Sequence, residues 1–545
     1  MKNGKRILSV LLAVLMLALA CPLSGFAAGS CSCAYTPIIY VLGQQAIYKT
    51  LPDGTRVEWG SDDDAQVEAA VKELLQVFAK TLVTQDWDAY AARGLELLVP
   101  LVEDITYDEN GNVKPGTGIE WSWTPASVPA SHSYHGAYYE YQYDYRLPLN
   151  QVVNDLHAYI ETVKAKTGHD KIIIASRCGG TNLVEQYLYQ YEKPAGYADL
   201  EKVLFVCGNL LGSDFVEAIF SGNVKINSEA AYRFLKSYNH IDISEMIGKQ
   251  LADYLYSALD MLEQTYGTDM LYIVINDLYN KLKDNFFAPF LKAYQGRNPG
   301  LVSFVYERYE EYKDYVFQEE GDKEKYANAI ANLDDYHDNV QVKTEEILQD
   351  TKAHGVEVDT VAYYGDQTYP LMDSASCASD RIAAVKDQGY GTVVSTVTGT
   401  LSDKYIAGRE ALGFGKYISP DKQVDASTGL FPETTWYLKN GEHHFAAYGG
   451  VFDRMVCDIC RQKNITVDTD PRYPQFINFI EDQAVIVPAK EKNDNDKNWA
   501  QYEEDASKGV ETFSGKMKAL LQKVIDFFKG LIQGIIRFGK SFGGK

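Results

Sequence analysis

The sequence predicts an α/β protein, in which a mostly parallel sheet is flanked by helices and carries a large helical insertion. Short apolar runs rich in β-branched residues, such as 171–175 and 202–207, alternate with segments of helical period such as 149–166. Strands that alternate with helices build parallel sheets, because each helix returns the chain to the same edge. A stretch over 214–350 interrupts the alternation with long helix-period patterns and few β-rich runs.

The predicted elements follow one another in a regular order. The first strand, at 37–43, is apolar and ends in glycine, and the helix at 149–166 places apolar residues on one face. A strand at 171–175 then runs into a turn of small residues, and a helix follows at 182–191. Further strands are predicted at 202–207, 356–364 and 434–439.

Composition divides the chain into segments of different character. Residues 214–350 are rich in Tyr, Leu, Lys, Glu and Asp, which favours a helical cap, and the polar run after 484 favours a linker. We therefore predict a signal peptide over 1–28, the first part of the sheet domain over 29–213, a helical cap over 214–350, the second part of the sheet domain over 351–484, a polar linker over 485–515 and a basic amphipathic helix over 516–545.

The amino terminus has the pattern of a secretory signal peptide. Three basic residues precede an apolar run over 7–20, and small residues over 25–28 offer a cleavage site. The run is too short to span a bilayer comfortably. Cys21 admits a lipoprotein alternative, but the residues before it fit a lipidation signal poorly. We expect a secreted, extracellular protein.

The carboxyl terminus predicts a surface anchor. Apolar residues recur at helical spacing, and residues 508–545 hold eight basic and two acidic side chains. A basic amphipathic helix on an acidic protein is typical of an interfacial anchor, here for an anionic membrane or the cell envelope. The alternative is a terminal helix that docks on its own domain.

Charge and cysteine content exclude several classes of protein. The chain of 545 residues has 75 acidic and 52 basic residues and a net charge of −23, which argues against a nucleic-acid-binding protein. Cys457 and Cys460 form a CxxC pair, for which a local disulfide or no special role is expected rather than zinc. The histidines show no metal-like spacing, so neither a metal nor a cofactor is predicted.

The turn after the strand at 171–175 is the most informative feature of the sequence. Residues 176–180 read Ser-Arg-Cys-Gly-Gly, so a buried strand ends at a tight turn of small residues and a helix follows at once. This is the context of a nucleophile elbow, in which the central residue has a strained backbone and an exposed side chain. Ser176 and Gly180 supply the small side chains that the close packing of strand and helix requires, and the central residue is Cys178.

Other short motifs flank the elbow in a recognisable order. They are PIIYVLGQ at 37–44, YDYR at 143–146, GNLLGS at 208–213, SPDKQVD at 419–425 and WYLKNGEH at 436–443. In this order the chain, over about 37–445, resembles the α/β-hydrolase superfamily, and within it the lipase and lecithin:cholesterol acyltransferase-like branch. The resemblance implies an α/β-hydrolase fold and the chain order nucleophile, acid, histidine.

Cys178, Asp421 and His443 match that order. The histidine would take the proton of the thiol, and the carboxylate would hold the imidazole and stabilise its charged form. Asp366 and Asp425 compete with Asp421 for the role of the acid.

The sequence leaves open which of two adjacent histidines is catalytic and whether the nucleophile is a free thiol. His444 is adjacent to His443, and the spacing after Trp436 slightly favours His443. The backbone N–H groups of Gly179 and Gln44 are the candidate oxyanion donors. A disulfide between Cys178 and Cys207 is an alternative that would silence the site.

Two functions follow from this reading. The first is a secreted acyl hydrolase or acyltransferase that acts on a lipid-like ester or thioester through a Cys-His-Asp triad and an acyl-enzyme. A cysteine at the elbow, where this superfamily mostly has serine, favours acyl transfer or a specialised hydrolysis, and resembles dienelactone hydrolases and polyhydroxyalkanoate synthases. The second is a catalytically inactive protein that uses the same scaffold for binding or surface attachment.

Overall fold

The structure is a computed structural model and describes residues 33–499, except 44–46, 52, 59–63, 107, 110, 111, 115, 120, 135–138, 228, 232, 234–269, 295, 442, 444–449 and 498. The predicted signal peptide at 1–28 and the predicted amphipathic helix at 516–545 lie outside the described residues. The part of the chain that the structure describes has no helix that is both long and apolar enough to cross a membrane.

An eight-stranded sheet forms the centre of the protein. Its strand order is β13-β12-β11-β8-β7-β6-β1-β5. All neighbouring strands are parallel except β12 and β13, which are antiparallel. The α/β fold class predicted from the sequence is confirmed. The described strands are β1 (Ile38–Leu42), β2 (Ile47–Thr50), β3 (Arg56–Glu58), β4 (Thr117–Ile119), β5 (Tyr139–Tyr141), β6 (Ile172–Arg177), β7 (Leu200–Val206), β8 (Glu357–Tyr364), β9 (Val393–Val394), β10 (Val424–Asp425), β11 (Thr435–Lys439), β12 (Phe476–Ile480) and β13 (Val485–Pro488).

Helices cover both faces of this sheet. Those in the described residues are α1 (Asp64–Thr84), α2 (Trp87–Val102), α3 (Leu149–Thr167), α4 (Gly180–Tyr187), α5 (Lys193–Ala195), α6 (Asp214–Phe220), α7 (Met270–Leu282), α8 (Ala288–Ala293), α9 (Pro299–Val302), α10 (Tyr309–Val316), α11 (Asp322–Lys325), α12 (Ala327–Asn339), α13 (Thr344–Ala353), α14 (Val385–Gln388), α15 (Asp403–Ala411) and α16 (Val451–Arg461). Two π-helical segments lie at Leu188–Glu192 and Lys283–Phe287.

The central strands are buried on both faces because helices pack on each side of them. Along β6, Ile172 and Ile174 belong to the same core cluster as Leu156 of α3. The alternate residue Ile173 belongs to the cluster that contains Met455 of α16. A parallel strand covered on both sides is a continuous apolar run, which is the pattern seen at 171–175.

Helices make up the described part of the predicted cap. Between 214 and 350 every described α or β element is a helix, as the texture of the sequence predicts. The cap helices also pack against two helices from earlier in the chain. Leu74 of α1 and Leu98 of α2 form a small apolar cluster with Phe286 and Phe290. These two earlier helices were not predicted from the sequence. The domain boundaries stay a prediction.

The start of the predicted linker requires a correction. Residues Val485–Pro488 form β13 and pair antiparallel with β12, so the described residues up to 499 belong to the folded body. Trp499 is buried, and Lys497 forms an ion pair with Asp366. The polar composition after 488 concealed the strand, because an edge strand can be very short and here has only four residues.

Candidate active site

The chain turns sharply where β6 ends. Cys178 follows the last residue of β6 with a φ of +52°, and α4 begins two residues later at Gly180. Residues with a side chain rarely have φ in this left-handed region, and those that do are concentrated at functional sites. The structure therefore has the strand, strained turn and helix that the sequence predicts around Cys178.

Glycines allow β1 to approach this turn closely. A Cβ at Gly180 would lie 2.4 Å from the carbonyl oxygen of Val41, and one at Gly43 would lie 2.8 Å from the backbone nitrogen of Gly179. These atoms belong to the backbone and have little freedom to move. Glycine is required at both positions because β1 and the start of α4 are in contact.

His443 lies after β11 and is paired with an aspartate. Its Nδ1 is 2.7 Å from Oδ2 of Asp380, and both side chains are buried. The other carboxylate oxygen of Asp380 accepts the backbone N–H groups of Ile382, at 3.0 Å, and Ala383, at 2.8 Å. The carboxylate is thus held from one side by its own loop and holds the imidazole on the other.

The predicted partner of His443 was wrong. Asp421 forms an ion pair with Lys439 at 2.8 Å and accepts the hydroxyl of Ser419 at 2.6 Å, so its charge is already balanced away from the imidazole. The alternative, Asp366, forms ion pairs with Arg381 and Lys497. The structure brings Asp380 to His443 in place of both.

Sequence reasoning missed Asp380 because it lies inside a long irregular connection. Sixteen positions separate it from the end of β8 at Tyr364, and no apolar period marks its place. One signal was available: the connection that leaves β8 begins at the carboxyl edge of the sheet, where sites of open α/β sheets are found. That signal is shared by Asp366 and Asp421, which lie in the same interval before β11.

Two of the predicted site residues cannot be compared with this geometry. His444 and Gln44 both lie outside the described residues. Gly179 directly follows Cys178 and precedes the first residue of α4.

A second cysteine lies beside the histidine. Cys207 follows β7, its thiol donates to the backbone oxygen of His443 at 3.4 Å, and its sulfur, a ring nitrogen of His443 and an oxygen of Asp380 all lie within 4.8 Å of one another. Burial raises the pKa of Cys207 to about 12, although His443 and Arg177 both act to lower it. Cys178 and Cys207 are both free thiols, so the structure does not contain the disulfide that would silence the site.

The charges around His443 favour its protonated form. Burial acts to lower the pKa of the imidazole, but the carboxylate of Asp380 and the thiols of Cys178 and Cys207 raise that pKa well above its ordinary value. The thiol of Cys178 is thus one of the groups whose charge acts on the imidazole of His443.

Aromatic side chains and a segment of the cap cover the turn. The hydroxyl of Tyr143 donates to the backbone oxygen of Gly179 at 2.9 Å, and a Cβ at Gly179 would lie 3.2 Å from Cζ of Phe304. Asn182 of α4 and Gln341 both donate to the backbone oxygen of Ser303, at 2.9 Å and 2.7 Å. The contacts of Asn182 with Ser303 and of Gly179 with Phe304 hold the cap over the elbow. Cys178 is only 3% exposed, so its side chain is buried and not exposed as the elbow pattern predicts.

Cys457 and Cys460, the CxxC pair, lie on α16 and are both buried. Cys460 is buried as a free thiol, and burial raises its pKa above the ordinary value. The local disulfide expected as one outcome at Cys457 and Cys460 is therefore absent from these described residues.

Comparisons with known proteins add little to this geometry. No family model matches the chain, and no curated protein matches it. One solved structure to which it is similar is the crystal structure of the Tle4-Tli4 complex, at 14% identity over 61% of this chain and 75% of that chain, with a TM-score of 0.20. That score is too low for the likeness to bear on fold or function. The mostly parallel sheet flanked by helices is itself compatible with an α/β-hydrolase fold.

Proposed function

We propose that the protein is an acyl hydrolase or acyltransferase that uses Cys178 as nucleophile, His443 as proton carrier and Asp380 as the residue that orients the imidazole. The observation that carries the proposal is the buried 2.7 Å contact between His443 and Asp380. It is supported by the strained conformation of Cys178 and by the electrostatic coupling between its thiol and His443.

The proposed reaction has two steps. The thiolate of Cys178 attacks the carbonyl carbon of an ester or thioester, a new C–S bond forms, and the leaving alkoxide or thiolate takes the proton from the His443 imidazolium. Water or an acceptor alcohol, amine or thiol then gives its proton to His443 and attacks the thioester. The C–S bond breaks and the acyl group leaves as an acid, ester, amide or thioester.

The oxyanion would be stabilised at the turn itself. The backbone N–H of Gly179 directly follows the nucleophile and belongs to the start of α4, where unpaired amides and the helix dipole favour negative charge. Gln44 remains the proposed second donor.

The substrate class follows from the surroundings of Cys178. Tyr143 and Phe304 border the turn, and the cap excludes water from it. These surroundings favour an apolar acyl group, so a lipid-like ester or thioester is the proposed substrate. Export of the protein and its action at or outside the cell surface belong to the same proposal.

Trapping of the acyl-enzyme tests the proposal. We expect the purified chain to release p-nitrophenol from p-nitrophenyl butyrate in a burst, and peptide mapping to find the butyryl group on Cys178. The variant Cys178→Ala should lose both. In Asp380→Asn the acylation rate should fall by about 10²–10⁴-fold, because the imidazole loses the carboxylate that orients and charges it.

Asp421→Asn is the matched control, since it removes a buried carboxylate that the structure holds away from His443. Its acylation rate should stay close to that of the unaltered chain. The pH profile adds a readout that a loss of folding would not produce: the pKa of His443 should fall in Asp380→Asn and not in Asp421→Asn. Equal loss in both variants, or acylation of a residue other than Cys178, would overturn the assignment. A folded chain with no burst and no acylated cysteine would instead support the inactive binding scaffold.

A further inference from the structure

A second cluster of reactive side chains lies far from the elbow. The sulfur of Cys33 is 3.3 Å from Nε2 of His132 and 3.8 Å from Nε2 of His169. All three ligand-type atoms lie within 4.8 Å of one another, and the three side chains are half-buried. Together they present one soft sulfur and two imidazole nitrogens to a common point.

These separations fit a tetrahedral zinc ion. Bond lengths of about 2.3 Å to sulfur and 2.0–2.1 Å to nitrogen, at a tetrahedral angle, place ligand atoms about 3.5 Å apart. The two observed sulfur–nitrogen distances, 3.3 and 3.8 Å, lie on either side of that value. We propose that Cys33, His132 and His169 bind one Zn²⁺ ion, with water in the fourth position.

The cluster lies where three segments that are distant in sequence meet. Cys33 precedes β1, His132 precedes β5 and His169 precedes β6, and these strands are neighbours in the order β6-β1-β5. The cluster therefore lies at the amino edge of the sheet, whereas the elbow lies at the carboxyl edge, one strand length or about 20 Å away. A metal ion there would link the amino-terminal segment to two loops that are distant in sequence.

Other contacts hold the ligands in place before a metal binds. Arg461 of α16 donates to the backbone oxygen of Thr36, and to those of Ser133 and Tyr134 at 3.3 Å each. One guanidinium thus fixes the segment that carries Cys33 and the loop that carries His132. His169 follows Gly168, which ends α3 with a φ of +71°.

Coordination of zinc by these residues uses a thiolate and neutral imidazoles, so metal binding releases a proton. The thiol of Cys33 would release its proton to the solvent as the S–Zn bond forms. The resulting thiolate also offsets the positive charge of Arg461 beside the ion.

The site departs from the expectation that the chain holds no metal. Its ligands are separated by 99 and 136 positions, so no local spacing motif marks them. Cys31 lies two positions before Cys33 in the sequence but outside the described residues, and it is not counted among the ligands.

Metal analysis of the intact chain tests the proposal. After removal of metal with a chelator and titration with ZnCl₂, we expect one zinc ion per chain by calorimetry and elemental analysis. Cys33→Ser, His132→Ala and His169→Ala each remove a direct ligand, so each should weaken zinc binding by at least the roughly 10–100-fold that loss of an outer-shell partner costs. Cobalt should give a sulfur-to-metal charge-transfer band that disappears in Cys33→Ser.

Matched controls separate this site from other thiols and imidazoles. Cys377→Ser and His354→Ala should bind zinc as the unaltered chain does. Zinc should raise the melting temperature of the unaltered chain and not that of Cys33→Ser, while their metal-free forms melt alike; this shows that the variant folds. Zinc binding that is absent, that survives in all three ligand variants, or that is lost in Cys207→Ser instead, would overturn the proposal.

Discussion

Two cysteines on neighbouring strands adopt the same unusual backbone conformation. Cys178 follows β6 with a φ of +52°, and Cys207 follows β7 with a φ of +38°. Each such conformation costs on the order of 1 kcal/mol or more, and the surrounding structure must supply it. Both thiols act on the pKa of His443, so two of the strained residues border the proposed site.

The close contact of β1 with α4 makes a prediction at Gly180. The variant Gly180→Ala should destabilise the protein by about 3 kcal/mol, near the upper end of the cost of overpacking. The physical reason is the 2.4 Å separation that its Cβ would have from the carbonyl oxygen of Val41, a backbone atom that cannot rotate away. Urea unfolding measures the change.

Gly408→Ala is the control for this prediction. Gly408 lies inside α15, and a Cβ there would meet no atom within 4 Å. Alanine should stabilise this helix by about 0.5–1 kcal/mol, because it restricts the unfolded chain. Equal effects of the two substitutions would contradict the steric argument.

At the scale of elements, α4 connects the elbow to the cap. All of its residues are buried. Glu185 on this helix accepts the hydroxyl of Tyr336 from α12 at 2.8 Å. Burial raises the pKa of Glu185 to about 8, although the hydrogen bond from Tyr336 acts to lower it. The contact between cap and sheet domain thus contains a carboxyl group that is protonated at neutral pH.

Glu185 gives the free energy of unfolding a predictable pH dependence. In the unfolded chain this carboxyl group has a pKa of about 4.5, so between there and about 8 the folded state binds the extra proton and stability falls as pH rises. Glu185→Gln removes this titration. Relative to that of the unaltered chain, the free energy of unfolding of the variant should rise by about 3 kcal/mol between about pH 5 and pH 8, since one pKa unit corresponds to about 1.4 kcal/mol.

Urea titrations at several pH values check this dependence. Glu324→Gln is the matched control, because Glu324 is exposed on α11 and the substitution removes no buried carboxyl group. A difference between Glu185→Gln and the unaltered chain that is constant with pH would show that Glu185 is ionised in the folded state.

At the scale of the whole molecule, the two edges of the sheet have different proposed tasks. The carboxyl edge presents Cys178, His443 and Asp380, and the amino edge presents the Cys33 cluster. The net charge of the whole chain is −23, and the sequence on either side of the body is basic, so the body is more acidic than that total. The predicted helix at 516–545 would therefore be the part of the chain that meets an anionic surface.

Removal of the basic terminus tests this division. The full chain should bind vesicles that contain phosphatidylglycerol and release them as salt is raised, because surface charges are screened within about 10 Å at 0.1 M salt. A chain truncated after residue 507 should lose this binding and keep its melting temperature. Vesicle sedimentation measures the bound fraction.

Two controls accompany the truncation. Neutral phosphatidylcholine vesicles should bind the full chain weakly, because they lack the opposing charge. Undiminished binding by the truncated chain would assign membrane contact to the body, and a lowered melting temperature would favour a terminal helix that docks on its own domain.

Much of the fold was predictable because its signals are local. The apolar run at 171–175, the small residues of the turn and the helix after it are consecutive, and each has its own backbone preference. The strand β13 was missed because four residues carry weak periodicity. Helices α1 and α2 were missed as well. They pack with Phe286 of the cap, which is distant from them in the sequence.

The sequence by itself determined the strand, the strained turn that carries Cys178, and the position of His443 just after a buried strand. Only the tertiary structure decided that Asp380 rather than Asp421 holds His443, and that Cys33, His132 and His169 converge. The physical reason is that periodicity and turn chemistry act between neighbours in the chain. The partner of a buried charge, in contrast, is the group that loop folding brings within hydrogen-bond distance, at whatever separation in sequence it lies.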